Sequence, residues 1–464
     1  MHLFSENTYK NRRQTLSQAI GKGLILLQGN DEASMNYKDN TYRYRQDSTF
    51  VYYFGLNQPG LNALIDTESG EEIIFGNEFS IDDIIWVGQQ ATIKELAQSV
   101  GITDTRAANA LKPILLKAQS QGREIHFLPP YRTENLLKLE FLLEQSIQDL
   151  SQGHSTKLIK SIVDQRSIKT SEEIALMTEA VNVSREMHIA AMKATKPGKA
   201  EFEVVAEIYR VAKLHASYLA YPAIFSINGQ ILHNHHHDNK LESGRLLLND
   251  SGAETTSYYS GDITRTFPVS GKFTEKQKEV YNIVLEMEES AIGMLKAGLA
   301  YRDIHMAANK LMLEQLKTLG LLTGDVNDML ELGVGGLFMP HGLGHQIGLD
   351  VHDMENLGEQ FVGYRDGLER STQLGLKSLR FAREIENGMV LTVEPGMYFI
   401  PDLIEKWKAE DKFSEFIQYD KLKAYYDFGG IRIEDDVQVT ENGPVILGER
   451  IPKTVAEIED IMQA

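Results

Sequence analysis

In the second half of this 464-residue chain, acidic side chains stand where an uncompensated charge is costly. Asp250 ends the apolar run Leu247-Leu248-Asn249, and Asp262 follows a polar turn and precedes Ile263-Thr264-Arg265-Thr266-Phe267, which together read as a β-hairpin presenting two carboxylates. Glu394 closes Val390-Leu391-Thr392-Val393, and Glu434 sits inside Gly429-Gly430-Ile431-Arg432-Ile433-Glu434-Asp435-Asp436-Val437. Between these segments, His341, His345 and His352 are separated by glycines. Gly342 and Gly344, and the absence of a glutamate after His341, argue against a helical i, i+4 zinc pair from His341 and His345. One carboxylate in a strand could be a turn residue, and Asp262 alone could pair with Arg265. Together, two Asp, two Glu and an imidazole make an oxygen-rich donor set, which suits Mn2+ and also fits Co2+, Zn2+ or Fe2+. More than one carboxylate per ion points to two divalent ions about 3.5–4 Å apart, activating a water for hydrolysis. The donors name metal-assisted hydrolysis; they do not name the substrate.

The elements that must position these groups follow from local pattern. Thr170-Ser171-Glu172-Glu173 is a capping box opening a helix, with Ile174, Met177, Val181, Ser184, Met187 and Ala191 on one face and Pro197-Gly198 ending it. Ahead of it, Leu24–Leu27, Thr49–Gly55, Ala63–Asp66, Glu72–Phe75, Ile84–Val87 and Ile125–Leu128 read as strands. Thr92–Val100 and Ala107–Ala118 read as helices, so the N-terminal region is expected to be α/β. Thr67-Glu68-Ser69-Gly70 is a turn, and the polar stretch Ser151–Thr156 is the linker candidate. No internal repeat is visible. His235-His236-His237 reads as a solvated loop.

Composition limits the partners. The 66 acidic against 47 basic residues give a net charge of −19, which argues against nucleic acid and a basic membrane-facing surface. The chain has no cysteine, so disulfides, thiolate nucleophiles and cysteine-based metal sites are excluded. No apolar run is long enough to span a membrane and the first residues lack a signal-peptide pattern, so the expected location is cytoplasmic.

Asp262-Ile263-Thr264-Arg265-Thr266-Phe267, Pro340-His341-Gly342-Leu343-Gly344-His345 and Gly430-Ile431-Arg432-Ile433-Glu434-Asp435 resemble segments of the pita-bread metallopeptidases, in the prolidase and Xaa-Pro aminopeptidase branch. Leu26–Gly29 and Tyr44–Phe50 are similar to that branch's N-terminal domain. The resemblance implies an aminopeptidase P-like α/β domain over residues 1–160 and an α+β pita-bread catalytic domain over 161–464. It implies Asp250, Asp262, His345, Glu394 and Glu434 as metal ligands, with Asp262 and Glu434 bridging. It further implies Glu394 as general base, His233 near the scissile carbonyl, His352 stabilising the tetrahedral intermediate, and His341 and Arg432 lining the site. The interval between Asp250 and Asp262 is one residue longer than the family pattern, for which a bulge or longer loop is expected. Arg380 lies where prolidases capture a dipeptide's carboxylate, and Tyr398-Phe399-Ile400 and the segment around Trp407 look prolidase-like. The implied function is therefore an Xaa-Pro dipeptidase acting on a proline-containing peptide, with an Xaa-Pro aminopeptidase for longer peptides as the alternative. A homodimer is implied as well. A non-catalytic pita-bread binding module is the rival of another class, and retention of all five ligands counts against it.

Overall fold

The computed structural model describes residues 4–365 and 367–463. It divides into two compact units, one formed by the chain up to Arg166 together with Met354–Phe361, the other by Ser167–Asp353 and the chain from Val362 onwards.

The first unit is built on a five-stranded sheet in the order Asp104–Ala107, Glu72–Gly76, Asn62–Asp66, Leu24–Gln28, Ile125–His126. The two outer pairings are parallel and the two inner ones antiparallel. Leu24, Leu26, Leu64, Ile73 and Phe75 pack against Leu111, Leu115, Leu139 and Leu142 of the helices. The expected turn closes with Gly70 at φ +77°, and the Asp66 carboxylate accepts from Glu68 and Ser69 N–H.

Two expected strands are helices. Of Thr49–Gly55, all but the last residue lies in the helix Ser48–Phe54, where Asp47 accepts from Phe50 N–H at 2.9 Å and Gly55 closes the end at φ +63°. All its residues are buried, so the run shows no polar face, and an all-round apolar stretch does not distinguish a buried helix from a strand. Ile84–Val87 lies in the helix Ile81–Val87, which a Ser80–Asp83 capping box opens. In both cases the caps outweigh the β-propensity of the run. Ala107–Ala118 begins with a short turn and becomes the helix Leu111–Ser120, and pairing in Ile125–Leu128 stops after His126. The polar stretch 151–156 joins the helices Ile147–Gly153 and Thr156–Ser167, and its Ser155 hydroxyl accepts from Leu158 N–H rather than facing solvent as a linker residue.

In the second unit the Thr170–Glu173 capping box opens a helix, Ser171–Ala194, whose Met177, Val181, Ser184, Met187 and Ala191 are buried. This helix and Glu201–Leu214 form a pair, and Glu275–Met294 and Tyr301–Thr318 form another a hundred residues on. The two linkers share a positive-φ glycine, Gly198 at +91° and Gly298 at +86°, followed by a β-bridge from Ala200 or Ala300. The arrangement recurs although the sequence shows no repeat, because burial pattern and turn geometry persist where residue identity does not.

Against these helices lie short antiparallel sheets: Ile224–Ser226, Leu246–Asp250 and Thr264–Pro268; Val390–Val393, Asp435–Thr440 and Gly443–Ile446; and Gly396–Tyr398 with Gly430–Arg432. The bridges Thr264↔Glu434 and Gln346↔Leu391 join the sheets where the acidic residues cluster.

A buried ionic network holds this junction from behind. Arg265 contacts Asp435 at 2.6 Å and donates to the Glu434 carbonyl at 2.7 Å. Lys453 reaches Glu288 and Asp435, both at 2.8 Å. Removing one member of such a network leaves uncompensated buried charge and costs about 3–5 kcal/mol. Lys453→Met is expected to lose that much stability in denaturant melts followed by the fluorescence of Trp407, which is 3% exposed, while the first unit's Trp86 is 86% exposed. An unchanged midpoint would show that the network does not hold the fold.

Candidate metal centre

Asp250 is the last residue of its strand and pairs in register with Thr264. Its neighbours fix it: His188 accepts at Nδ1 from the Asn249 amide (3.0 Å) and donates from Nε2 to the Ser251 carbonyl (3.0 Å). Burial holds His188 at about 4, so the ring is neutral and can play both parts. The chain then leaves the sheet and returns, with Ser251 N–H on the Ile263 carbonyl and Gly261 N–H on the Ala253 carbonyl. A Cβ on Gly252 would fall 1.7 Å from the Gly261 oxygen, so this close approach requires glycine. Between the two carboxylates lies the tight turn Thr255–Tyr259, with Tyr258 at φ +70°. Both carboxylates finish side by side, and the Tyr221 hydroxyl lies 2.6 Å from Asp250 Oδ1 and 2.5 Å from Asp262 Oδ1. Arg265 is committed to Asp435, so pairing with Asp262 does not explain that residue.

The His345 backbone N–H donates to the Thr392 hydroxyl and its carbonyl accepts from Thr392 N–H, both at 3.0 Å. Its ring Nδ1 faces the Gln346 carbonyl at 3.0 Å and must donate there. Nε2 then either carries a second proton or offers its lone pair to a cation. It points at Asp262 Oδ2 (3.4 Å) and Glu394 Oε1 (3.7 Å). Glu394 is held through its N–H on the Leu343 carbonyl. Glu434 is held twice, by its N–H on the Thr264 carbonyl (3.1 Å) and by the Thr264 hydroxyl on its Oε2 (2.6 Å). One ligand atom each from Asp262, His345 and Glu434 lie within 4.8 Å of one another, all three residues buried.

Arg432 donates to Asp250 (2.5 Å) and to the Tyr398 hydroxyl (2.8 Å), which lies 2.9 Å from His341 Nε2. His341 Nδ1 donates to the Gly342 carbonyl, so Nε2 accepts from Tyr398. Burial and Arg432 push His341 down to about 3, leaving it neutral. Burial drives the Glu434 carboxyl well up, reinforced by Asp262, Glu394 and Asp250, and raises Glu394 to about 7. Asp250 is raised by burial despite Arg432. Burial also acts on Asp262, but with no cation bound a protonated His345, the Tyr221 hydroxyl and His352 together outweigh it, and its carboxyl is lowered. These donors fit divalent cations: clustered carboxylates that repel one another, and an imidazole lone pair aimed among them.

All ten residues singled out in the sequence line one cavity of about 520 Å³: Asp250, Asp262, His345, Glu394 and Glu434 with His233, His341, His352, Arg380 and Arg432. His352 stacks on His345 at 3.9 Å between ring centroids. The histidine tract is irregular with His235 and His236 exposed, as expected of a solvated loop; His235 also lines the cavity, and His237 Nε2 contacts the Ala223 carbonyl at 3.1 Å. Sequence reasoning missed Tyr221, His188, Thr264 and Thr392 as groups that set the geometry. A tyrosine before proline and threonines in strands carry no local signal for this.

Because Glu394 is raised to about 7 with no cation bound, it is partly protonated near neutrality, and a cation must displace that proton. Metal affinity is expected to fall as pH drops from 8 to 6. Calorimetry in buffers of different ionisation enthalpy at pH 6.5 is expected to show about one or more protons released per chain. No release would contradict a cation shared by these carboxylates.

Residues 175–441 match the model of metallopeptidase family M24, and residues 9–126 match the aminopeptidase P N-terminal domain. Human Xaa-Pro dipeptidase is 33% identical, with 97% of this chain and 92% of that protein aligned. A probable Xaa-Pro aminopeptidase of Metarhizium acridum is 32% identical over 95% of this chain and 85% of its own length. The structure of Zn-substituted E. coli aminopeptidase P in complex with product superposes with a TM-score of 0.81 at 28% identity, covering 100% of this chain and 99% of the other. With its donors gathered in one cavity of an α+β pita-bread domain that follows an α/β domain, the chain belongs to metallopeptidase family M24.

Proposed function

We propose that this protein is a dinuclear-metal Xaa-Pro peptidase of the prolidase type, hydrolysing the bond between an N-terminal residue and proline. The observation that carries the reading is the convergence of five donors, four further imidazoles and two arginines on one cavity. In this reading Asp250, Asp262, His345, Glu394 and Glu434 hold two divalent ions, with Mn2+ the best match to the donor set and Co2+, Zn2+ or Fe2+ also suited to it. Bound there, the ions supply Lewis acidity and an activated water. Glu394 takes up and passes on a proton. His233 and His352 donate towards the carbonyl oxygen as charge builds on it. Arg432 and His341 shape the wall, tied to each other through Tyr398.

The finer assignments follow the same reading. The protein acts in the cytoplasm as a homodimer, on peptide and not on nucleic acid or membrane. The helix Ile81–Val87 supports association, since Ile81, Ile85, Trp86 and Val87 stand 57–86% exposed on it. Among the described residues no helix is long and apolar enough to cross a membrane.

Action on dipeptides is favoured by Arg380, which lines the cavity just after the turn Leu376–Ser378. Action on longer peptides is the second reading, supported by the likeness to aminopeptidase P. A charge-assisted contact between the Arg380 guanidinium and a substrate carboxylate contributes roughly 1.5–3 kcal/mol. Arg380→Ala is therefore expected to lower kcat/KM for an Xaa-Pro dipeptide by about 10–150-fold. An Xaa-Pro-Xaa tripeptide, whose carboxylate lies one residue further on, is expected to lose much less. Equal losses make Arg380 structural, and a wild type that prefers the tripeptide overturns the dipeptidase reading.

A further inference from the structure

The loop that carries His352 runs from Gln346 to Asp353 and is tied down at several points. Asp353 N–H donates to the Gln346 carbonyl (2.9 Å), Gly348 N–H to the Asp350 carbonyl (3.1 Å), and Ser260 N–H to the Gly348 carbonyl (2.9 Å). Against it lies a buried ion pair that the reaction itself does not use. Lys169 Nζ meets Asp353 Oδ2 at 2.7 Å, with side chains 2% and 1% exposed. The Lys169 backbone is fixed in turn, its N–H donating to the Gly388 carbonyl at 2.9 Å. Gly348 shows how tightly the loop wraps the pair: a Cβ there would lie 2.6 Å from Asp353 Oδ2 and 2.9 Å from Lys169 Nζ.

A buried ion pair is seldom a net source of stability, because desolvation of both charges offsets their attraction. It does fix geometry, since separating two opposite charges held in contact in the interior is costly. Asp353 is the residue next to His352, and the His352 ring lies 17° from parallel with His345 across 3.9 Å. A displacement of Asp353 is carried directly into the place of that imidazole.

We propose that Lys169, acting through Asp353, is a positioning residue for His352. The inference rests on the reading of His352 as a group that acts on the substrate carbonyl in the proposed peptidase reaction. Lys169 and Asp353 touch no substrate in this account; they hold the imidazole where a charge developing on the substrate can be met.

The test is a double-mutant cycle read in kcat, KM and metal content on an Xaa-Pro dipeptide. A misplacement of the order of an ångström costs a reaction about 100-fold. Asp353→Asn and Lys169→Met are expected to lower kcat by about that factor, with KM within about twofold and metal content unchanged. Lys169→Arg, which keeps the charge, is expected to restore most of the activity. In a His352→Ala background, Asp353→Asn is expected to cost less than about twofold, because the group it positions is gone. Should Lys169→Met fail to fold, the isosteric Asp353→Asn carries the test. Equal fold losses in both backgrounds, or a lowered melting temperature with kcat intact, would overturn the proposal. If His352→Ala itself leaves kcat unchanged, the reading of His352 falls, and the positioning role falls with it. If His352→Ala lowers kcat while the cycle is additive, only the present inference falls.

Discussion

Mutual repulsion among buried carboxylates is the constraint on which the catalytic unit depends. Asp250, Asp262, Glu394 and Glu434 face one cavity from the ends or interruptions of different strands. Each is costly to bury alone, and bringing them together raises the cost, as the upward-driven Glu434 carboxyl shows. Arg432 compensates Asp250 directly. The remaining negative charge calls for protons or divalent cations, and the aim of the His345 lone pair favours cations.

The architecture is arranged to hold this arrangement against that cost. Backbone groups, rather than flexible side chains, set the donors: the Thr264 carbonyl holds Glu434, the Leu343 carbonyl holds Glu394, and Thr392 grips His345 through two hydrogen bonds. Arg265 and Lys453 tie the segment behind Glu434 to Asp435 and Glu288. Such a network adds little net stability but allows few alternative arrangements, which is what donors needing fixed geometry require.

Much of the site was legible in the sequence because its logic is local. A carboxylate at the end of an apolar strand run, or histidines among glycines, is anomalous in any fold, and the anomalies converge in space. What was not legible depends on tertiary contact. Tyr221 joins two aspartates that are separated from it by tens of residues, and His188 reaches Asn249 and Ser251 from a helix. The paired helices around Gly198 and Gly298 repeat in geometry without repeating in sequence. In the N-terminal unit the misread runs Thr49–Gly55 and Ile84–Val87 are rich in residues that favour strands. Their helical state was written in the flanking caps, Asp47 with Gly55 and Ser80 with Asp83. Weighing caps before propensity would have recovered both.

The central claim is that five side chains jointly hold two divalent ions. Metal content per chain after equilibration with excess Mn2+ and removal of free ion tests it most directly, compared between wild type and Glu434→Gln, which keeps shape but removes charge. The expected result is two ions in the wild type and a clear loss in the variant, with activity falling in parallel. Two ions and full activity in Glu434→Gln, or a wild type that holds none, would contradict the account.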